Sequence, residues 1–388
     1  MKVLIIGGVA AGTKTAAKLK REDRSSEVIV LTKDKDISYA GCGLPYYVGG
    51  LIESRDELIV NTPQKYAGLT GVEVRVGKEA IALDADKKQV TVKDVDTGEE
   101  EVCSYDKLVL SVGASPAVLP VEGTEKQGVF KMRTPDDASA IRSYVEEKGV
   151  KKAVVIGAGF IGLEAAENLK AKGVQVTVID FASQILPNII DPEMAVYAKK
   201  HLLREGIRVI TGTKAEAVLG NEAVTGVKTS AGVLGCELLI MAAGIRPNTD
   251  FLKDTGLEMF KGTILVDNTM KTNLEDVYAA GDCVMVTNRL TGKPQWSPMG
   301  SSANMEGRTL AQVLAGKEKT YPGVLGTGVV KLPGLNIGRT GLTEEQARAA
   351  GYDVITPVLV CNTDDYSSVE AVTGNNVAVG DTIVNITK

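Results

Sequence analysis

Short runs of wholly aliphatic residues alternate along this chain with glycine turns and helical stretches, and the same order occurs twice. Val3-Leu4-Ile5-Ile6 leads into Gly7-Gly8-Val9-Ala10-Ala11-Gly12, then a helical pattern from Thr13 to about Arg21, then Val28-Ile29-Val30-Leu31. Such continuous aliphatic runs predict strands of a parallel sheet buried on both faces. The second copy is Ala153-Val154-Val155-Ile156, then Gly157-Ala158-Gly159-Phe160-Ile161-Gly162, a helix from Leu163 to about Lys172, a break at Gly173, and Val176-Thr177-Val178-Ile179 ending on Asp180. Glycines at a strand-to-helix turn let the backbone approach a pyrophosphate, which then rests on the helix N-terminus.

The two copies differ in quality. In the first, Val9 stands where the middle glycine of the fingerprint belongs, and Thr32, followed by Lys33, stands where an acid would hold a ribose hydroxyl. In the second the glycines are complete and Asp180 falls about 20 residues on, as ribose binding requires. Its charge would repel a 2′-phosphate, and no arginine follows before Arg204. NADH is therefore expected over NADPH.

Two further strands, Leu108-Val109-Leu110 before Gly113 and Leu238-Leu239-Ile240-Met241 before Gly244, flank the second unit. Val277-Tyr278-Ala279-Ala280 then runs into Gly281-Asp282, with the acid placed to reach a ribityl or pyrophosphate oxygen. The expected fold is α/β, with two Rossmann-like nucleotide-binding domains, the second inserted into the first. The first comprises 1–115 and 245–315, the second 116–244, and a shortened α+β domain covers 316–388.

The chain has 388 residues, enough for several cores, with 44% hydrophobic and 24% charged residues, and this is ordinary soluble composition. A formal net charge of -5 argues against nucleic acid or an anionic membrane as partner. No apolar run reaches the roughly 18 residues that span a bilayer. The five cysteines, Cys42, Cys103, Cys236, Cys283 and Cys361, are widely spaced with no CxxC, so neither a disulfide framework nor a metal site is expected. A cytoplasmic location follows.

Taken together, the motifs resemble the pyridine nucleotide-disulfide oxidoreductase family. Ile37-Ser38-Tyr39-Ala40-Gly41-Cys42-Gly43-Leu44-Pro45-Tyr46-Tyr47 resembles its single-cysteine branch of coenzyme A disulfide reductases, NADH oxidases and NADH peroxidases. Gly281-Asp282, Ala303-Asn304 with Gly307-Arg308, and Tyr321-Pro322-Gly323-Val324 extend the match. The resemblance implies FAD in the first domain and NAD in the second. It also implies a C-terminal dimerisation domain, and hence a homodimer, although the sequence beyond Tyr352-Asp353 carries no familiar motif.

The implied chemistry reduces a small disulfide or persulfide, CoA disulfide above all, through Cys42 as the catalytic thiol. Small neighbours and Pro45 place that thiol at a helix start, where a thiolate is stabilised. Glu164 is implied near the nicotinamide, and Gly7, Gly8, Ala10, Ala11, Gly12, Thr32, Lys33, Gly113, Gly244, Gly281, Asp282 and Ala303 near the cofactors. Family CoA sites map to Lys14, Lys18, Arg21, Ser38 and Asn304, and Arg308 is added as a further cation. Lys14, Lys18 and Arg21 share one helix face, which reads equally as a solvated basic surface. Ala10 stands where oxidases and peroxidases carry a histidine, and His201, the only one in the chain, lies elsewhere. Gly41 replaces an amide found in the reductases.

The reductases' partner-subunit tyrosine, which assists the leaving thiol, has no match: either a shortened domain does the job differently, Tyr46 or Tyr47 substitutes locally, or the enzyme is slow. Two other readings stay open: an oxidase or peroxidase working through a Cys42 sulfenic acid, and a flavoprotein that senses redox state without turnover.

Overall fold

The computed structural model describes residues 1–356 and the backbone of the strand Thr382–Ile386. Cys361, the rest of the polar stretch from Asn362 and the turn Gly374-Asn375-Asn376 lie outside the described residues. The chain forms two compact units, each assembled from three separate segments.

The first unit comprises 1–40, 59–115 and 246–324. Its centre is a five-stranded parallel sheet in the order Val277–Ala279, Lys107–Leu110, Lys2–Ile6, Glu27–Leu31, Glu73–Arg75. The aliphatic run Val3–Ile6 is buried throughout, as a strand covered on both faces must be. The helix Ala10–Glu22 follows the first strand, and Gly307 of the helix Gly300–Leu314 packs against it. A three-stranded antiparallel sheet, Lys78–Asp84, Gln89–Asp94 and Glu100–Ser104, and a four-stranded sheet complete this unit.

The second unit comprises 41–58, 116–245 and 325–388. Its parallel sheet runs Arg208–Ile210, Gln175–Ile179, Lys152–Ile156, Leu238–Met241, Val129–Phe130. The helices Pro135–Lys148 and Phe160–Ala171 contribute Ile141, Val145, Leu163 and Leu169 to one core. Leu44 and Val48 from the short helix Leu44–Gly49 enter the same core, as do Val330 and Ile337 from the hairpin Gly328–Leu332 and Leu335–Thr340. Burying side chains of this size contributes roughly 1.5–3 kcal/mol each, enough to pin a six-residue helix that would not persist alone.

Both glycine-loop helices begin three residues earlier than the helical pattern suggests, at Ala10 and Phe160. Their periodic apolar positions start only where the helix meets the sheet, while the first turn is held by the loop itself. Among the described residues no helix is long and apolar enough to cross a membrane, and no cluster of metal-ligating side chains occurs.

Candidate active site

In the first unit the strand Lys2–Ile6 delivers the chain to Gly7, whose φ of +111° only glycine adopts without strain. A Cβ there would lie 2.1 Å from the Ser111 carbonyl oxygen. Helix Ala10–Glu22 then starts with no side-chain cap from Val9 and no acid in its first turn, so its leading N–H groups face no side-chain acceptor of their own. Gly281, at φ +91°, approaches the same helix: a Cβ on it would lie 2.9 Å from the Ala11 Cβ and 3.8 Å from that of Ala303. The structure thus brings the Gly7–Gly12 loop, Gly281 and Ala303 together within one unit.

The other expected residues of this unit sit as follows. Thr32 is buried at the end of its strand, its N–H bonded to the Arg75 carbonyl, and Lys33 is paired with Glu79 at 2.8 Å. Gly113 has φ +64°, and the Asp282 carbonyl accepts the Trp296 indole N–H at 2.8 Å. Ser38 has φ +48°, its N–H bonded to the Gly8 carbonyl. Lys18 pairs with Glu22, which also binds Lys317 at 2.5 Å, and these two ammonium groups hold Glu22 down at about 2. Arg21 lines a crevice with Lys20, Arg24 and Leu69. The stripe expected from Lys14, Lys18 and Arg21 is therefore partly neutralised. Asn304 is half-buried and Arg308 exposed on the helix Gly300–Leu314.

Sequence reading missed Glu306. It is buried, accepts the Gly281 N–H at 2.7 Å, and burial pushes its carboxyl up to about 8. The signal was its spacing: Glu306 falls between the buried Ala303 and Leu310 on the inward face of its helix.

In the second unit Gly157 has φ +111°, and a Cβ would lie 2.3 Å from the Ala242 carbonyl oxygen. Gly162 lets the helix sit on the turn, since a Cβ would be 1.9 Å from the Gly157 oxygen. Gly159 and Gly244, by contrast, face open space. Gly159 caps the helix Phe160–Ala171 through its backbone alone, with no acid in the first turn. Phe160 is half-buried and Ile161 exposed beside it. Asp180 closes the neighbouring strand, its carboxylate accepting N–H bonds from Ala158 at 2.6 Å and Ala182 at 2.7 Å. An uncapped helix end, a fixed acid and open space above Gly159 fit a dinucleotide. The first turn shares the uncapped helix end alone, since a Cβ on Gly8 would lie 2.9 Å from the Ile37 side chain and one on Gly12 1.9 Å from the Gly7 oxygen.

Cys42, also in the second unit, is exposed, whereas Cys103, Cys236 and Cys283 are buried. Burial pushes the Cys236 thiol up to about 11 and that of Cys283 up to about 12, which keeps both inert. Cys42 lies just ahead of the helix Leu44–Gly49, whose first turn holds Pro45. The thiol lies within a single 3₁₀ turn, Gly41–Gly43, because Gly43 already has helical angles of -81° and -15° and carries the turn into Leu44–Gly49. Cys42 therefore sits in the turn that leads into that helix.

One turn on, Tyr46 OH lies 3.5 Å from Glu164 Oε1. Burial, joined by the charge of Glu167, raises Glu164 to about 7, against hydrogen bonds from Tyr46 and the Lys331 backbone. His201 is remote from this cluster in sequence and bonds the Pro333 carbonyl through Nε2, 2.5 Å away.

Comparison with known proteins gives concordant results. The sequence pattern of the pyridine nucleotide-disulphide oxidoreductase family matches residues 1–306. An NADH oxidase of Methanocaldococcus jannaschii is 40% identical over 356 residues, 92% of this chain and 79% of that protein. An NAD(P)H coenzyme A polysulfide/persulfide reductase of Pyrococcus horikoshii is 37% identical over 363 residues, 93% and 80% of the two chains. The crystal structure of reduced Bacillus anthracis CoADR-RHD superposes with a TM-score of 0.87 at 35% identity, covering 91% of this chain and 63% of that one. This chain thus spans less than two thirds of that structure.

Proposed function

The chain belongs to the pyridine nucleotide-disulphide oxidoreductase family, whose members use FAD and NAD(P)H, and on that premise we propose that it reduces a small disulfide or persulfide through Cys42. The observation that carries this reading is the exposure of Cys42 in the turn that leads into a pinned helix, while the other described cysteines are enclosed. A coenzyme A-linked substrate is favoured, supported by a relative that is named for such chemistry.

When bound, FAD and NAD(P)H supply the hydride and the two-electron transfer. The chain's own residues do the rest. Backbone N–H groups at the two uncapped helix ends bind pyrophosphate, Asp180 takes ribose hydroxyls, and Cys42 attacks the substrate sulfur as a thiolate. With no second thiol within hydrogen-bonding sequence reach, the oxidised form is a mixed disulfide between Cys42 and the substrate thiol. The reducing cytoplasm and a homodimer are part of the same proposal, and light scattering tests the dimer.

The second reading, an oxidase working through a Cys42 sulfenic acid, is favoured by the M. jannaschii relative and opposed by Ala10. Anaerobic mixing of NADH-reduced enzyme with CoA disulfide, peroxide or oxygen separates the two. Fast reoxidation by the disulfide supports the proposal, and reoxidation by oxygen alone overturns it.

Asp180→Asn removes the charge and keeps one of the two acceptor oxygens, since Ala158 and Ala182 bond different oxygens of the carboxylate. The expected outcome is a rise of at least about tenfold in the ratio of kcat/KM for NADPH to that for NADH, since a carboxylate beside a phosphate costs more than 1 kcal/mol. Steady-state kinetics with both nucleotides checks this.

A further inference from the structure

We propose that Glu306 is the positioning residue of the FAD site: as a neutral acid it holds the Gly281–Asp282 turn against the glycine-loop helix, and loss of its proton loosens the cofactor. The inference rests on FAD being the cofactor of the first unit and is independent of what Cys42 reduces.

Gly281 is wedged between two helices. At φ +91°, a Cβ on it would lie 2.9 Å from the Ala11 Cβ, in the first turn of the helix Ala10–Glu22, and 3.8 Å from the Ala303 Cβ of the helix Gly300–Leu314. Its N–H donates to Glu306 Oε2 at 2.7 Å, across 25 residues of sequence. The neighbouring residue brings the two helices together, since a Cβ on Gly307 would lie 2.7 Å from the Ala11 carbonyl oxygen and 3.0 Å from Thr15 Oγ1. Glu306 and Gly307 thus fix one side of a helix end that no side chain caps, the kind of end on which a pyrophosphate rests. Asp282, the acid expected to reach the ribityl chain or a phosphate, directly follows the anchored amide. A shift of Gly281 therefore carries Asp282 with it.

A carboxyl group in that place is stable only without its charge. Glu306 is 1% exposed, and among the described residues no cation acts on it. Its titratable neighbours are Asp282, Cys283 and Tyr321. Asp282 repels a second negative charge, and burial keeps the thiol and the phenol neutral, both pushed up to about 12. Burial, against the Gly281 hydrogen bond and with the Asp282 charge, holds Glu306 at about 8. The proton is therefore present at neutral pH and lost as pH rises through about 8. Ionised Glu306 sets a second carboxylate beside Asp282, next to the helix end that would hold an anionic pyrophosphate. FAD binding then requires the proton to return.

The test is FAD retention by the holoenzyme. Flavin-loaded protein is diluted into buffers from pH 6.5 to 9.5, and the fluorescence of released FAD gives the dissociation constant. Circular dichroism reports the fold in the same samples. In the wild type the constant is expected to rise roughly tenfold between pH 7 and pH 9, following one proton, with the dichroism unchanged. Glu306→Gln keeps an acceptor for Gly281 and carries no charge, so its constant stays near the wild-type pH 7 value throughout. Glu306→Ala strands the Gly281 N–H and is expected to bind FAD at least about fivefold more weakly at pH 7, without a pH dependence. A wild-type constant that does not change with pH, or an equal rise in Glu306→Gln, overturns the role of Glu306. Release that coincides with loss of helical dichroism makes Glu306 a residue of the fold alone and overturns it as well. Protein that retains no FAD at pH 7 overturns the cofactor assignment instead.

Discussion

Cys42→Ser is expected to leave a flavoprotein that NADH still reduces but that releases no thiol from a disulfide, with turnover lower by at least about 10³-fold. The reasoning is chemical. A serine hydroxyl is not ionised near neutral pH and forms no bond to sulfur that reduced flavin can reopen. No other described cysteine can take over, since Cys103, Cys236 and Cys283 are buried and burial raises all three thiols. In the proposed site NADH rests on the Gly157–Gly162 turn and Asp180, which the substitution does not touch. Rapid-scan absorbance of flavin bleaching, paired with a thiol assay, separates the two halves. Undiminished thiol release would remove Cys42 from the reaction.

The second large effect lies at the NAD turn, where two glycines two residues apart answer differently. Gly157→Ala puts a methyl group 2.3 Å from the Ala242 carbonyl oxygen at a φ of +111°, so strand, turn and helix start must shift together. Strain of this kind costs about 1–3 kcal/mol before the clash is counted. The expected result is a melting temperature lowered by several degrees, by about 2–4 °C per kcal/mol, and NADH affinity lost at least tenfold. Gly159→Ala faces open space at a φ of -85°, so the fold accepts it. The methyl then occupies the room over the helix end where pyrophosphate would rest. Its expected outcome is an unchanged melting temperature with NADH affinity again lower by at least tenfold. Calorimetry and NADH titration together check the pair, and normal NADH binding by Gly159→Ala would remove the nucleotide from that turn.

Much of the architecture was legible because burial on both faces leaves a plain mark. Val3–Ile6, Val28–Leu31, Val154–Ile156 and Leu238–Met241 are uninterrupted aliphatic runs, and all are strands of the two parallel sheets. Helix starts were less legible, since Ala10 and Phe160 are placed by backbone geometry without any capping side chain. The Cys42 segment was legible as chemistry but not as packing. Its assignment to the second unit depends on Leu44, Val48 and Leu58 meeting Ile141, Leu163 and Val330, contacts between segments up to hundreds of residues apart that no local pattern encodes. Glu306 and the half-buried Glu167 beside Glu164 were hidden for a related reason. Charged residues on helices read as solvated until the fold shows which face is covered.

The central claim is that Cys42 alone carries the substrate sulfur. Intact mass spectrometry of the flavin-loaded protein after brief exposure to CoA disulfide tests it most directly. The account predicts one CoA thiol per chain, localised to Cys42 by peptide mapping, and its complete removal on addition of NADH. NADH-dependent reduction of CoA disulfide with Cys42 unmodified throughout would contradict it.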